Sequence, residues 1–352
     1  MSGGIMVGAA KILGHPDRVR AFLKGMPIFP VTLELGLTTR CNRKCPDCPS
    51  SLGAPSMSLQ LELVERVLKR LKGETRGLIV TGGEPTLSPI FGEVLRVART
   101  RYDFEDIAVV TNGSKLEEPT VFEPLLAYAS AVRVSLYDWQ ERCQGVAPTL
   151  RRIESLRKRI DKSGSRLQIG VSALTSKDGE KALLPLAVMA SKAGAHWLYF
   201  HPTCVRDVDG ITRQLPHAAV ATLVDQCRDA VGESFPIYWL KERYETKELR
   251  FQGYHAAQFV LVIGADGLNY LATEAKYRED FLLWDLARGW REDFLWDAQR
   301  LAQIQAVSTS NYRYSGSRNR GVIYNALLDE LKTSRHLSHA PPDTPYHLPH
   351  IL

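Results

Sequence analysis

The chain has 352 residues, 44% hydrophobic and 24% charged, with 45 Lys and Arg against 39 Asp and Glu and a formal charge of +6. That length holds one large core, or one core with a smaller appended lobe. The positive excess suits an anionic small molecule or cofactor and is too diffuse to indicate nucleic acid, and no stretch approaches the roughly 18 apolar residues of a membrane span.

Residues 1–30 are read as a helical extension. They lack the charged start, long apolar centre and small-residue cleavage site of a secretory signal, so the expected location is cytoplasmic. From 31 to 205, β-rich runs alternate with longer amphipathic ones. The strand-like runs begin at Val31, Gly77, Ile107, Val132, Arg166 and His196. Between them lie stretches such as LELVERVLKRLKG, apolar at three- and four-residue spacing. Strand runs this continuously apolar suit a parallel sheet covered by helices. Six βα units in a row indicate an α/β fold, expected here as a partial (β/α)6 TIM-type barrel.

After 205 the rhythm changes, and 206–335 is read as a small C-terminal α+β lobe covering the barrel mouth. QFVLVIG and LNYLATE flank Ala265-Asp266-Gly267, a hairpin signal. The stretch WDLARGWREDFLWDAQRLAQIQ, from Trp284, is read as helix with its tryptophans buried. Residues 336–352, rich in Pro and His, are read as a loose, flexible tail.

Three of the six cysteines, Cys41, Cys45 and Cys48, fall within eight positions just after the first strand; Cys143, Cys204 and Cys227 are scattered. In a large chain without a disulfide framework, that crowding reads as metal or catalytic chemistry. Thiolates suit iron–sulfur clusters or zinc. A [4Fe-4S] cluster commonly takes four protein ligands, so three in one loop leave one iron open to a cofactor or substrate. A structural zinc is the alternative, with Cys143, Cys204 or Cys227 as a fourth ligand.

Cys41-x-x-x-Cys45-x-x-Cys48 after the first strand of a βα barrel resembles the signature of radical S-adenosylmethionine (SAM) enzymes. Thr81-Gly82-Gly83-Glu84-Pro85, after the second strand, is similar to the family's GGEP motif. Thr111-Asn112-Gly113, after the third, is similar to its TNG segment, and Ser135 lies where fourth-strand residues of the family approach SAM. The resemblance spans about 31–205. It implies a [4Fe-4S] cluster on Cys41, Cys45 and Cys48, with SAM on the open iron. It also implies a backbone at Gly82, Gly83 and Pro85 that binds the methionyl group, with Glu84 facing its ammonium.

One position departs from the family: Asp47 stands where an aromatic residue usually precedes the third cysteine. Adenine recognition is therefore expected to lean on other groups, Gly170 of the fifth run among them. His201 and Cys204 follow the sixth strand and are the catalytic candidates. The Cys204 thiol is a candidate hydrogen-atom donor, set against a plain buried cysteine. Tyr137, Asp138 and Trp139 are candidate substrate contacts, and Cys143 is a second candidate donor.

The hairpin near 259–272 resembles the C-terminal extension that carries auxiliary clusters in many family members. No cysteine follows Cys227, so one cluster is expected. The resemblance implies reductive cleavage of SAM to a 5′-deoxyadenosyl radical, with flavodoxin or ferredoxin as electron donor. The radical would take hydrogen from a polar small molecule, a sugar or nucleoside of natural-product biosynthesis. Dehydration, decarboxylation, epimerisation or oxidation can follow. The rival readings are modification of a ribosomally made peptide and a non-enzymatic iron–sulfur sensor or binding protein.

Overall fold

The computed structural model describes residues 9–45, 48, 55–137, 146–202, 214–244, 250–312, 320–334 and 348–352. Short apolar runs form the strands β1 (Thr32–Gly36), β2 (Gly77–Thr81), β3 (Asp106–Thr111), β4 (Ala131–Ser135), β5 (Gln168–Leu174) and β6 (Trp197–His201). Each pairs in parallel with the next. Between them run the helices α2 (Leu61–Leu71), α3 (Phe91–Thr100), α4 (Pro119–Tyr128), α5 (Val146–Ser163) and α6 (Glu180–Lys192); α1 (Pro16–Leu23) precedes the sheet.

Helix α2 shows why the alternation folds this way. Val64, Val67, Leu68 and Leu71 are buried, one apolar stripe at helical spacing. They meet Leu33 and Leu35 of β1 and Leu78 and Val80 of β2 in the main core, which fills the space between sheet and helices. The intervening residues Glu34, Ile79 and Thr81 face the other way and line an internal cavity. The two-residue period of a strand thus separates core from site.

Beyond β6 come α7 (His217–Val231) and β7 (Ile237–Trp239), then α8 (Ala256–Phe259), β8 (Val260–Ile263), β9 (Leu268–Tyr270) and β10 (Leu282–Asp285). The strand order is β10-β9-β8-β1-β2-β3-β4-β5-β6-β7, an unclosed barrel. The Asp266-Gly267 turn joins β8 to an antiparallel β9, as the hairpin signal predicts. The hairpin does not stand apart in a lobe, however. β8 pairs in parallel with β1, Thr32 opposite Val260, and β7 with β6. The boundary expected at 205/206 therefore lies inside one continuous sheet. A second, smaller core gathers Ile12 and Phe22 of the N-terminal extension with Phe259, Tyr312 and Leu328. Leu328 lies on α10 (Arg320–Ser334).

Two expectations are corrected. The stretch from Trp284 is not one helix: β10 takes its start, and the Asp285 carboxylate accepts from the backbone of Ala287 and Arg288 to turn the chain. Helix α9 (Ala298–Ala306) begins later, where Asp297 caps the backbone N–H groups of Gln299 and Arg300. The end of the chain is not wholly loose either. His350 N donates to Asp106 at 2.8 Å, Thr32 Oγ1 donates to His350 O at 2.6 Å, and Leu352 is buried. Residues 348–352 thus close the barrel at the N-terminal ends of β1 and β3, and a Cβ on Gly77 would fall on the His350 carbonyl.

Burial pushes the His255 imidazole down to about 4, with the Lys332 ammonium adding to the shift. The folded protein therefore resists a proton that the unfolded chain accepts near 6.5, and stability falls as pH drops from 6.5 towards 4. His255→Phe is expected to remove this component. Near pH 4 it should recover roughly 2–3 kcal/mol relative to the unsubstituted chain, and near pH 8 none of that gain. Melting curves of the two proteins at several pH values check it; a constant gap contradicts it.

Candidate active site

The cavity has a volume of about 450 Å³ and runs inside the barrel. Cys41, Cys45 and Cys48 all line it, each partly exposed. The loop that carries them is held from two sides. Leu37 N donates to Thr81 O (2.8 Å), Gly83 N to Thr38 O (2.6 Å) and Glu84 N to Arg40 O (2.8 Å), which laces it to the turn after β2. On the other side Thr38 Oγ1 and Thr39 N donate to Met57 O.

The two glycines are required by this lacing. A Cβ on Gly82 would lie 2.5 Å from Thr38 O, and one on Gly83 would lie 2.5 Å from both Thr39 O and Arg40 O. Only bare backbone lets the cysteine loop come so close. Gly82, at φ +154°, and Gly83 then form a shelf in the cavity wall beside the thiols.

Glu84 is placed differently from the expectation. It is fully buried and is not part of the cavity wall. Its carboxylate accepts from Thr86 Oγ1 (2.6 Å), Thr86 N (3.2 Å), Thr111 Oγ1 (2.6 Å) and Asn112 N (2.7 Å). With its lone pairs turned to these donors, it clamps the β2 turn to the β3 turn. Pro85 is buried beside it and opens a 3-10 turn.

Thr111 and Asn112 both reach the cavity. The Asn112 amide donates to Asn42 Oδ1 at 2.8 Å and lies 3.9 Å from Cys41 Sγ, tying the β3 turn to the cysteine loop. Burial pushes the Cys41 thiol up, while the Arg43 N–H opposes the shift.

Ser135 lines the cavity from the end of β4, as does Tyr137. Gly170 does not. A Cβ there would fall within the indole of Trp197, which lies across it and takes the place on the wall. Gly170 thus seats Trp197, and Trp197 rather than Gly170 presents to the cavity. Gly170→Ala is expected to cost roughly 1–3 kcal/mol through overpacking and to perturb tryptophan fluorescence. Thermal melts and emission spectra check it; loss of SAM binding without destabilisation would restore the adenine contact.

His201, at the end of β6, lines the cavity. Cys204, Cys143, Asp47, Asp138 and Trp139 lie outside the described residues. Cys227 is buried in the α7 core, away from the cavity, with its thiol pushed up to about 11.

Motif reading missed the charged inner face. Glu34, Arg43, Arg133 and Arg243 all line the cavity. Glu34 is held by buried Lys276 at 3.0 Å and by Thr273 at 2.7 Å. The detectable signal was a charge inside an apolar strand run, as in Leu33-Glu34-Leu35 and Val132-Arg133-Val134.

The donor set suits an iron–sulfur cluster. Among the described residues no three of His, Cys, Asp and Glu group to hold a single metal ion. A [4Fe-4S] cluster is held by cysteine thiolates, commonly four, so three thiols here would leave one iron open.

Residues 35–169 match the family model described as the Radical SAM superfamily. The chain is 39% identical over 98 residues to GTP 3′,8-cyclase of Synechococcus sp. (strain CC9605), covering 25% of this chain and 28% of that protein. It is 32% identical over 88 residues to GTP 3′,8-cyclase of Chlorobaculum tepidum, covering 24% and 26%. The chain thus spans little more than a quarter of the length of these curated relatives.

Among solved structures, Streptococcus suis SuiB bound to S-adenosylmethionine superposes with a TM-score of 0.64 at 18% identity, covering 83% of this chain and 72% of that one. The anSMEcpe structure with bound AdoMet gives 0.57 at 14% identity, covering 86% and 97%. These likenesses support the fold.

Proposed function

We propose, from the premise that the chain belongs to the radical SAM superfamily through its domain at residues 35–169, that it cleaves SAM reductively and takes hydrogen from a polar small molecule. The observation that carries this reading is that three thiols, the Gly82-Gly83 shelf and Asn112 all line one cavity, with the cysteine loop laced to both turns. Cys41, Cys45 and Cys48 would hold a [4Fe-4S] cluster, and the shelf would receive the methionyl group of SAM. Together the two cofactors supply a 5′-deoxyadenosyl radical.

The chain's own part is placement and exclusion of water. Glu84 and the Asn112–Asn42 bond keep the cysteine loop, the β2 turn and the β3 turn in one arrangement. Ile79, Ala108, Val110 and Trp197 give the inner face an apolar part that would limit water around a reacting carbon. Ser135, which lines the cavity at the end of β4, is assigned to contact SAM. His201 and Cys204 remain the candidates for contact with the substrate.

A sugar or nucleoside of natural-product biosynthesis is the substrate class this reading favours. The cyclase relatives, whose name specifies GTP, support a nucleotide-like guest, as does a cavity lined by both aromatic and charged groups. Flavodoxin or ferredoxin is the proposed electron donor, and the cytoplasm the proposed location. Among the described residues no helix is long and apolar enough to cross a membrane.

The test is anaerobic. The protein is reconstituted with iron and sulfide, reduced and given SAM, and 5′-deoxyadenosine is expected. No product from protein carrying a full cluster would favour the sensor or binding-protein reading.

A further inference from the structure

The cysteine loop follows β1, and β6 and β7, far across the parallel array from it, carry a second polar group. His201 ends β6, and Arg243 ends the 3-10 turn Lys241–Arg243 that follows β7. Arg243 is only 5% exposed, yet it lines the cavity. Its Nη1 lies 3.2 Å from His201 Nδ1. A guanidinium has donors only, so Nδ1 accepts and the ring hydrogen of neutral His201 sits on Nε2.

The surroundings fix this pair in place. Thr175 N and Oγ1 both lie within 2.9 Å of His201 O, Thr175 Oγ1 is 3.0 Å from the Tyr244 hydroxyl, and Gln214 Nε2 donates to Thr175 Oγ1 at 3.0 Å. Thr175, Gln214 and Tyr244 are all buried. They tie the β5 end, the β6 end and the turn bearing Arg243 together. The Tyr199 ring stands edge-on to His201 with centroids 4.0 Å apart, and Tyr238 adds a second aromatic to the wall.

The composition of the lining points the same way. Among the described residues, Lys11, Arg43, Arg133 and Arg243 line the cavity beside Glu34 and Glu274. Cations on apolar and aromatic walls act in a lower effective dielectric than water, where their pull on an anion is stronger. A guanidinium fork suits the planar oxygens of a carboxylate or phosphate.

We propose that Arg243, set against His201, binds an anionic group of the substrate, a carboxylate or a phosphate, and so holds the reacting carbon between that anchor and the cysteine wall. The proposal rests on the functional reading above and narrows it to acidic or phosphorylated sugars and nucleosides. Arg243 is then the residue that sets specificity.

Calorimetric titration of the reconstituted protein with glucose, glucuronate and glucose 6-phosphate at constant ionic strength tests this. At least one charged sugar is expected to bind about tenfold or more tighter than glucose, and the one that does identifies carboxylate or phosphate. Arg243→Gln should erase the preference, and Arg243→Lys, which keeps the charge but not the fork, should retain part of it. Equal affinity for all three sugars overturns the proposal, as does absence of binding by any of them or a preference that survives in Arg243→Gln. Melting curves show whether the Gln variant is folded; if it is not, the Lys variant decides, and an undiminished preference there counts against the fork. Formation of 5′-deoxyadenosine by the unsubstituted protein is scored separately. Product without an anion preference sinks this proposal alone, and an anion preference without product sinks the functional reading alone.

Discussion

Cys45→Ala is expected to abolish 5′-deoxyadenosine formation and to leave the reconstituted protein without its brown colour. All three thiols line the cavity, and the Cys48 N–H donates to Cys45 O at 3.3 Å, which ties two of the three together. Two thiolates cannot secure three irons, and the cluster would lose its cradle along with its open site. Activity should fall by more than roughly a hundredfold, beyond the 10–100-fold that loss of an outer-shell partner typically costs. Cys45→Ser, with a harder oxygen ligand, should recover little. Iron and sulfide assays beside product analysis check both variants. Full iron content with unchanged product in Cys45→Ala would remove this cysteine from the ligand set.

Gly83→Ala should come close to that effect by a purely steric route. Its Cβ would meet two backbone carbonyls, those of Thr39 and Arg40, at 2.5 Å. Backbone cannot rotate away as a side chain can, so the cysteine loop itself has to move. The cost is on the order of 1–3 kcal/mol or more in stability. The larger consequence is for the site, because the displaced loop carries Cys41. Cluster occupancy should drop sharply while far-UV circular dichroism still reports a folded chain. A variant with a full cluster and an unshifted melting temperature would show that the lacing of the two turns tolerates a methyl group.

The parts of this protein that repeat a simple period were legible. All six strand-like runs became parallel strands, because continuous apolar character fits a strand buried on both faces, by helices outside and by the barrel interior within. The cysteine spacing and the Gly82-Gly83 pair were legible as a loop and a turn beside it, since their chemistry is local. What a residue faces was not. Glu84 and Gly170 were both assigned to cofactor from motif position, but one holds two turns together and the other makes room for an indole. Those roles depend on Asn112 and Trp197, distant in sequence. The joining of β8 to β1 was hidden for the same reason, because partner choice between strands leaves no periodic trace. Residues 348–352 looked like tail by composition, and only the barrel end they close gives them an ordered place.

The position of β1 within the sheet also bears on how the protein forms. β1 is flanked by β2, made soon after it, and by β8, whose residues follow more than two hundred positions later. Loop closure over that span makes the β1–β8 pairing one of the least local steps in folding, and steps of that kind are slow. During synthesis the cysteine loop therefore emerges, and can lace to the β2 turn, well before the strand on its other side exists. The cysteine-bearing half of the cavity has a wall to lean on early, while the flank built by β8 and its hairpin closes late.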